Sequence, residues 1–153
     1  MTLVVSLDYR WVFCRRALPE VEKLLAADGN IRLVIKEFPI LGEASVTSSR
    51  FAIATKQIAG DDAYKLVHDA LMDFSGDPSE IALTRLAQSF GLDADAILAQ
   101  MDSQEVTDVI MTNRRLAQAL QINGTPTFIL EDQMLRGFLP ADQMAQLIAE
   151  LRG

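Results

Sequence analysis

Two β-prone segments near the start of the chain are separated by a single helix-length stretch. Leu3–Leu7 is almost continuously apolar, which is typical of a strand buried on both faces. Ile31–Glu37 alternates apolar and polar residues, and the stretch between the two segments has helical spacing to about Ala27, where Asp28-Gly29-Asn30 ends it. Strand, helix and strand in this order form a βαβ unit with parallel strands and a right-handed crossover. The sequence therefore predicts an α/β domain.

The first helix has an apolar face and an internal proline. Phe13, Leu18, Val21, Leu24 and Leu25 recur in it at near-helical spacing. Pro19 lies inside the helix and should kink it, because proline lacks a backbone donor and clashes with the preceding turn.

After the second strand, the chain is predicted to be helical as far as Leu120. The predicted helices are Ala44–Ile58, Ala63–Phe74, Pro78–Phe90, Ala94–Met101 and Ser103–Leu120. Asp77 and Asp102 each precede a glutamate by three residues, which predicts an N-cap at both positions. The last of these helices has a predicted core-facing stripe of Val106, Val109, Ile110, Leu116 and Leu120.

The end of the chain reads as a β-hairpin followed by a helix. Thr127–Leu130 and Met134–Arg136 are joined by a turn at 131–133, and a final helix runs from about Pro140 to Leu151. A βαβ…ββα frame with a helical insertion accounts for this order. We expect a single domain over residues 1–153, with the frame at about 1–43 and 121–153 and the insertion at about 44–120.

Charge and cysteine content exclude several classes of function. The net charge of −7 argues against nucleic-acid binding, since Arg10, Arg15 and Arg16 form the only basic cluster. No segment is apolar over a length that would insert into a membrane. One cysteine allows no internal disulfide, and Met1–Leu7 is too short for a signal peptide, so the expected location is cytoplasmic, or periplasmic if the sequence is trimmed from a longer chain.

Several motifs along the whole chain resemble bacterial DsbA-family disulfide oxidoreductases of the Com1-like kind. They are Leu3-Val4, Asp8-Tyr9-Arg10, Cys14-Arg15-Arg16, the segment 36–42 (Lys-Glu-Phe-Pro-Ile-Leu-Gly), the segment 68–72 (His-Asp-Ala-Leu-Met) and the segment 120–126. The resemblance implies a thioredoxin fold with a central mixed sheet and an all-helical DsbA-like insertion.

The resemblance also implies a redox site, and this sequence departs from it at two positions. In the family, a Cys-x-x-Cys pair occupies the position of Trp11-Val12-Phe13-Cys14, so Trp11 replaces the nucleophile and only the resolving position, Cys14, keeps its sulfur. A buried glutamate that assists proton movement in the family corresponds to Val5. Neither an indole nor an isopropyl group ionises or forms a disulfide. The expectation is therefore a protein inactive as a dithiol–disulfide oxidoreductase.

Cys14 has two interpretations. The helix N-terminus and the neighbours Arg15 and Arg16 would stabilise a thiolate, which would suit a thiol-disulfide oxidoreductase or glutathione-dependent enzyme acting through this single cysteine. A resolving cysteine faces inward in the family, however, and apolar burial raises the pKa of a thiol. We favour the interpretation of Cys14 as a small buried hydrophobic residue, and we expect the protein to have no cofactor. A kappa-type glutathione transferase fits less well, because those proteins usually have serine at the position of Trp11.

Thr125-Pro126 resembles the cis-proline loop that faces the site in thioredoxin-like proteins. In the family, this loop presents backbone groups to an extended peptide, although it could also serve only to shape the hairpin. Trp11 could cover the former groove, which we favour, or offer an exposed platform for a bound peptide. The predicted partner is a protein or extended peptide in a groove formed by Trp11, Phe13, Thr125 and Pro126, and a homodimer is also open.

The remaining polar candidates are interpreted as structural. His68 is the only histidine and lies far from Cys14 in sequence, so neither a Cys–His pair nor a metal site follows from the sequence. The acids Asp61, Asp62, Asp93 and Asp95 fall at loops or helix starts, where we expect caps and not metal ligands.

Overall fold

The computed structural model describes residues 1–153 and contains a four-stranded sheet and seven helices. In chain order the elements are β1 (Thr2–Leu7), α1 (Val12–Ala27), β2 (Arg32–Glu37), α2 (Glu43–Ala59), α3 (Asp61–Met72), α4 (Glu80–Ser89), α5 (Ala94–Met101), α6 (Gln104–Ala119), β3 (Thr127–Leu130), β4 (Gln133–Arg136) and α7 (Ala141–Arg152). The predicted βαβ…ββα order is confirmed, and α2–α6 occupy the segment predicted as the insertion. None of the helices is both long and apolar enough to cross a bilayer.

The sheet has the strand order β2-β1-β3-β4 and mixed direction. β1 is parallel to β2, with Val5 opposite Ile35, and antiparallel to β3, with Val5 also opposite Phe128. β4 is antiparallel to β3 and therefore runs in the same direction as β1. The C-terminal ends of β1, β2 and β4 and the N-terminal end of β3 thus meet at one edge, which we call the carboxyl edge. In α/β sheets this is the usual place for a ligand site.

One hydrophobic core joins the sheet to helices of the frame and of the insertion. β1 contributes Leu3 and Leu7, β3 contributes Phe128, α7 contributes Met144 and α2 contributes Phe51, all of them almost completely buried. Because residues of frame and insertion share this core, the site at the carboxyl edge stands on a rigid base.

Two predicted helix starts are wrong by one or two residues. Ser79 caps α4, with its Oγ accepting the Ala82 N–H at 3.2 Å, so the cap is not Asp77 and Pro78 precedes the helix. Ser103, and not Asp102, caps α6 in the same way. In both cases the serine directly before the helix reaches the free backbone donor, and the aspartate lies too far upstream.

The acids predicted as caps divide into two groups. Asp93 caps α5, since its Oδ1 accepts the Ala96 N–H at 3.1 Å. Asp61 and Asp62 lie in the first turn of α3 behind the N-cap Gly60, and Asp95 lies in the first turn of α5. These three acids therefore stabilise the helix dipole without capping a backbone donor.

The core-facing stripe predicted for the last helix of the insertion is wrong at two positions. Leu116 and Leu120 are 40% and 38% exposed. In α6 the buried positions after Ile110 are Asn113 and Ala117. Asn113 Nδ2 donates to the Glu37 carbonyl oxygen at 3.0 Å, so a polar residue belongs to the inner face and the stripe is rotated away from the two leucines.

Candidate functional site

Trp11 is the N-cap residue of α1, directly beyond β1 at the carboxyl edge. Its backbone N–H donates to the Asp8 carbonyl oxygen, and its own carbonyl accepts from the Arg15 N–H. The indole is half-buried, packs against the core and lies 5.5 Å from the Phe13 ring, centroid to centroid. The guanidinium of Arg16 lies 5.5 Å from the centre of the Phe13 ring. Trp11 and Phe13 thus form an apolar surface that is only partly covered.

Cys14 is almost completely buried, with 2% of its surface exposed. Its Sγ accepts the backbone N–H of Asp8 at 3.5 Å. Burial raises the pKa of the thiol to about 11, although the Asp8 N–H and the nearby Thr125 hydroxyl both favour the thiolate. The Arg15 guanidinium donates elsewhere, with its Nε to the Tyr9 carbonyl oxygen at 2.8 Å and its Nη2 to the Phe74 carbonyl oxygen at 2.5 Å. At neutral pH this cysteine is a protonated, buried thiol.

The Thr125-Pro126 peptide bond is cis, and the surrounding loop is held in place from both sides. The Pro126 carbonyl oxygen accepts the Gly137 N–H at 2.9 Å, and Thr127 Oγ1 donates to the Gly124 carbonyl oxygen at 2.9 Å. Within this fixed loop, the backbone N–H and C=O of Thr125 make no hydrogen bond elsewhere in the chain. Thr125 Oγ1 is buried and close enough to affect the Cys14 thiol, but it has no partner of ordinary hydrogen-bond geometry.

A small cavity of about 20 Å³ lies among Cys14, Pro126 and the core. It is lined by Val5, Leu7, Cys14, Ala17, Leu18, Val21, Leu33, Ile35, His68, Met72 and Pro126. This volume matches about one water molecule, and nine of the eleven lining residues are hydrophobic, so the cavity holds no substrate. It does place Val5, the position of the family's glutamate, in the same cavity as the remaining sulfur.

His68 also lines this cavity, so the structure brings together two residues that are distant in sequence. Its Nδ1 lies 3.0 Å from the Tyr9 hydroxyl oxygen. That hydroxyl gives its single proton to Glu37, and a neutral His68 therefore carries its proton on Nδ1 and donates to the tyrosine oxygen. Burial lowers the pKa of His68 to about 3, with a smaller contribution from the charge of Lys65.

Glu37 is a buried carboxylate that the sequence analysis did not single out. Its Oε1 accepts hydrogen bonds from the hydroxyls of Tyr9 at 2.5 Å and Tyr64 at 2.7 Å, and its Oε2 accepts from Ser49 Oγ at 2.9 Å. These three donors favour the ionised form, yet burial outweighs them and raises the pKa of Glu37 to about 7. The segment 36–42 had been noted only for its resemblance.

Asp8 is a second buried acid whose role the sequence did not reveal, since it appeared there only within the motif Asp8-Tyr9-Arg10. It has no exposed surface, and its carboxylate accepts four hydrogen bonds. The donors are the backbone N–H groups of Arg10, Ile40 and Leu41 and the Ser45 hydroxyl, at 2.7–3.0 Å. Asp8 therefore fixes the loop after β2 against the end of β1. An acid directly after a buried strand is the signal that could have identified it.

Exposed apolar side chains concentrate in the segments that meet at the carboxyl edge. Six of the eleven large exposed hydrophobic residues come from these segments: Val12, Phe13, Ile40, Leu41, Leu120 and Phe138. They follow β1, β2 and β4 or precede β3, and each is 38–46% exposed. A concentration of apolar surface at one edge is typical of a site that binds another molecule.

The mixed four-stranded sheet, the helical insertion and the cis-proline loop together define a thioredoxin-fold protein with a DsbA-like insertion. The chain belongs to the DSBA-like thioredoxin domain family, which matches residues 2–149. With one cysteine, it carries a degenerate form of the family's Cys-x-x-Cys motif.

Solved structures with the same fold include a thioredoxin-like oxidoreductase from Silicibacter pomeroyi, at 40% identity and a TM-score of 0.89 over 99% of this chain and 86% of the other. The thiol-disulfide exchange protein alpha-DsbA2 from Wolbachia pipientis has 24% identity and a TM-score of 0.90 over 98% and 81%. A periplasmic thioredoxin-like protein from Salmonella enterica serovar Typhimurium has 25% identity and a TM-score of 0.84 over 97% and 82%. No curated protein matches the chain.

Proposed function

We propose that this chain binds an extended segment of a protein or peptide at the carboxyl edge and does not catalyse dithiol–disulfide exchange. The observation that carries the proposal is the contrast between two neighbouring groups. The backbone N–H and C=O of Thr125, a residue that is 7% exposed, have no hydrogen-bond partner in the chain, whereas Cys14, the only sulfur suited to exchange, is buried and protonated.

The loss of exchange follows from the chemistry of thiols. Exchange proceeds by attack of a thiolate on a disulfide, and a second thiol then resolves the mixed disulfide. A thiol with a pKa of about 11 is ionised to roughly one part in ten thousand at pH 7. With one such sulfur and none to resolve an intermediate, a catalytic cycle of this kind has neither of its two steps.

The binding activity follows from the backbone and the exposed side chains around it. An extended peptide that pairs with the Thr125 N–H and C=O would add a short strand beside the fixed loop. Its side chains would then lie near the half-buried Trp11 and the exposed Phe13. Tryptophan is over-represented among residues that dominate binding energy, so Trp11 is the expected anchor.

Trp11 provides its own reporter, because it is the only tryptophan in the chain. Titration with a panel of unlabelled eight-residue peptides that alternate valine and threonine should shift its emission. With fluorescein-labelled versions, Trp11→Ala should weaken binding at least fivefold, as for an anchor residue. Ile81→Ala is the matched control, since Ile81 is 67% exposed and lies on α4. The proposal fails if no peptide binds at millimolar concentration, or if both variants bind like the parent.

A second candidate is an enzyme that uses Cys14 alone, and one observation favours it. The Asp8 N–H and the Thr125 hydroxyl both act on the sulfur in the direction of a thiolate. Alkylation by iodoacetamide over a pH series separates the two candidates. We expect labelling to be slow until the protein is unfolded in urea. An apparent pKa below about 7, or a glutathione adduct on the folded protein, would favour the enzyme instead.

A further inference from the structure

A second, polar groove adjoins the cis-proline loop at the carboxyl edge. It has a volume of about 760 Å³ and is lined by Phe38, Arg114, Gln118, Gln121, Ile122, Asn123 and Arg136. The chain as a whole has a net charge of −7, yet this groove contains two arginines, three carboxamides and no acid. Its lining therefore offers hydrogen-bond donors and positive charge.

Most donors of the two guanidinium groups have no partner in the chain. Arg136 Nη1 donates to the Gln121 carbonyl oxygen at 2.9 Å. Arg114 Nη1 makes one weak contact with the Met111 sulfur at 4.0 Å. Neither arginine forms an ion pair with a carboxylate, so both keep several N–H groups for a ligand.

The groove adjoins the cis-proline loop, which the proposed peptide would contact. Arg136 lies opposite Thr127 in the β3–β4 pair, and the next residue, Gly137, donates to the Pro126 carbonyl oxygen. Gln121, whose carbonyl accepts the hydrogen bond from Arg136, has a φ of 56° and follows the C-cap Leu120 of α6, and the Ile122 N–H donates to the Ala117 carbonyl oxygen at 2.7 Å. This arrangement closes the helix end and places Arg136 beside the cis-proline loop.

The C-terminal end of α6 carries a partial negative charge, which disfavours an anion in this groove and must be weighed against the positive charges of the two arginines. A helix end carries about half a negative charge, and its influence decays within the last turn. Arg136 already covers the Gln121 carbonyl oxygen at that end. Two full positive charges therefore outweigh the helix end, and the groove favours a negatively charged ligand.

We propose that this groove recognises a carboxylate of the bound segment, held between Arg114 and Arg136. Guanidinium groups pair with carboxylates by paired N–H donors, which adds direction as well as charge. The inference rests on the proposed function, because it assigns a residue class to the same peptide. The carboxylate can belong to an aspartate or glutamate side chain, or to the C-terminus of the segment.

The test uses a set of fluorescein-labelled eight-residue peptides with alternating valine and threonine. One series is acetylated and amidated and carries a single Glu, Gln or Lys moved through each position; the other contains no charged side chain and ends in a free carboxylate or an amide. We expect Glu peptides to bind best at one or two positions, with Gln intermediate and Lys weakest. A preference only within the second series would assign the carboxylate to the C-terminus.

Variants of Arg114 and Arg136 test whether this groove causes the preference for peptides with a carboxylate. Arg114→Gln and Arg136→Gln should each weaken binding of the preferred acidic peptide about threefold to fivefold, and neither should change binding of the matching Gln or amide peptide. Arg136→Lys keeps the positive charge of the side chain. It therefore separates the effect of that charge from the effect of losing the guanidinium contact with the Gln121 carbonyl oxygen. Arg85→Gln, on α4, is the control. The preference should shrink between 20 mM and 500 mM salt, because exposed charges are screened.

The outcomes distinguish this inference from the function it rests on. Equal binding of the Glu, Gln and Lys peptides, together with equal binding of the carboxylate and amide forms, would overturn the carboxylate site and leave peptide binding intact. A preference that survives in both the Arg114→Gln and Arg136→Gln proteins would place the carboxylate elsewhere and also overturn the inference. Absence of binding by every peptide would overturn both proposals.

Discussion

The hydroxyl of Tyr9 donates a hydrogen bond to Glu37 Oε1 over 2.5 Å in the interior of the protein. This bond joins the turn after β1 to the end of β2, and Tyr64 and Ser49 connect the same carboxylate to α3 and α2. A single buried acid thus ties the sheet to the helical insertion at the carboxyl edge, where β2 ends. Its ionisation should be visible in the stability of the whole protein.

Glu37 and His68 should give opposite pH dependences of stability. The pKa of Glu37 is raised to about 7 from an ordinary value of 4.5, so its contribution is complete below pH 4.5 and is lost as the pH rises to 7. The pKa of His68 is lowered to about 3 from 6.5, so its contribution is complete above pH 6.5 and is lost on acidification. Between pH 4.5 and 6.5 the two slopes cancel, and the free energy of unfolding should be nearly constant.

The variant Glu37→Gln removes the contribution of Glu37 to the pH dependence of stability and leaves that of His68. Its free energy of unfolding, measured by urea denaturation, should fall by about 3 kcal/mol from pH 6.5 to pH 4.5 as unfolded His68 takes up a proton. His68→Gln should do the reverse and gain stability over the same range. Parallel pH profiles for the two variants would contradict the assignment of these slopes.

Asp8 should be among the buried positions most sensitive to substitution, because it satisfies four donors at once. Asp8→Asn would turn an amide group towards donors and leave some of them unpaired in a buried setting. We expect a loss of about 2–4 kcal/mol in urea denaturation. Asp132→Asn, in the exposed turn between β3 and β4, is the control and should leave the unfolding midpoint unchanged.

Reduced anchoring at Asp8 should also release the loop that carries Ile40 and Leu41. Amide hydrogen exchange at these two residues should therefore quicken in Asp8→Asn beyond the change in global stability. Equal protection in the variant and the parent protein, once corrected for global unfolding, would show that the loop is held by its own packing.

The sequence predicted those elements whose signals are local. The βαβ unit was visible from an apolar and an alternating strand segment around one helix, and α5 has the predicted bounds, Ala94–Met101, with Asp93 as its cap. In α6, by contrast, periodicity favoured Leu116 and Leu120 over Asn113 as inner residues. The partner of Asn113 is the Glu37 carbonyl, 76 residues away, and no local pattern contains that information.

The candidate site shows the same division between local and distant information. Trp11 and Cys14 were identified from the resemblance of their segment to the Cys-x-x-Cys motif of the family, and their departure from that motif was readable in the sequence. Asp8 and Glu37 were missed, because an isolated acid gives no sign of the donors that the fold brings to it. The approach of His68 to Cys14 depends on how α3 packs against α1, which composition and periodicity do not determine.

The buried thiol should appear in the alkaline stability of the protein. The pKa of Cys14 is about 11 when folded against an ordinary value of 9, so its contribution is complete below pH 9 and is lost as the pH rises to 11. Tyr9 and Tyr64 also have raised pKa values and act in the same direction at higher pH. The difference between the parent protein and Cys14→Ala isolates the thiol.

That difference should change by about 3 kcal/mol between pH 9 and pH 11, with the parent protein losing more stability than Cys14→Ala. Urea denaturation under reducing conditions at each pH provides the measurement. Identical profiles for the two proteins would mean that Cys14 ionises as readily in the folded state as in the unfolded chain, and this would favour the single-cysteine enzyme.

Restoring the missing redox groups should recover exchange activity in stages. Trp11→Cys returns a thiol to the N-cap position of α1, where the helix terminus favours a thiolate, so some reduction of insulin is expected. The activity should be weak, because Val5 still occupies the position of the family's proton-transferring glutamate. Since Val5 and Cys14 line the same cavity, the added change Val5→Glu would place a carboxyl group near the sulfur that must lose its proton.

The double variant Trp11→Cys/Val5→Glu should therefore reduce insulin faster than Trp11→Cys alone, whereas Trp11→Cys/Val5→Gln should not. The glutamine variant introduces the same length and a similar volume without an ionisable group, so it separates proton transfer from crowding in a small cavity. Unfolding midpoints of both double variants must be compared first, because burial of either polar group costs stability. Rapid insulin reduction by Trp11→Cys alone would show that the nucleophile was the decisive loss and that the residue at position 5 matters little for exchange.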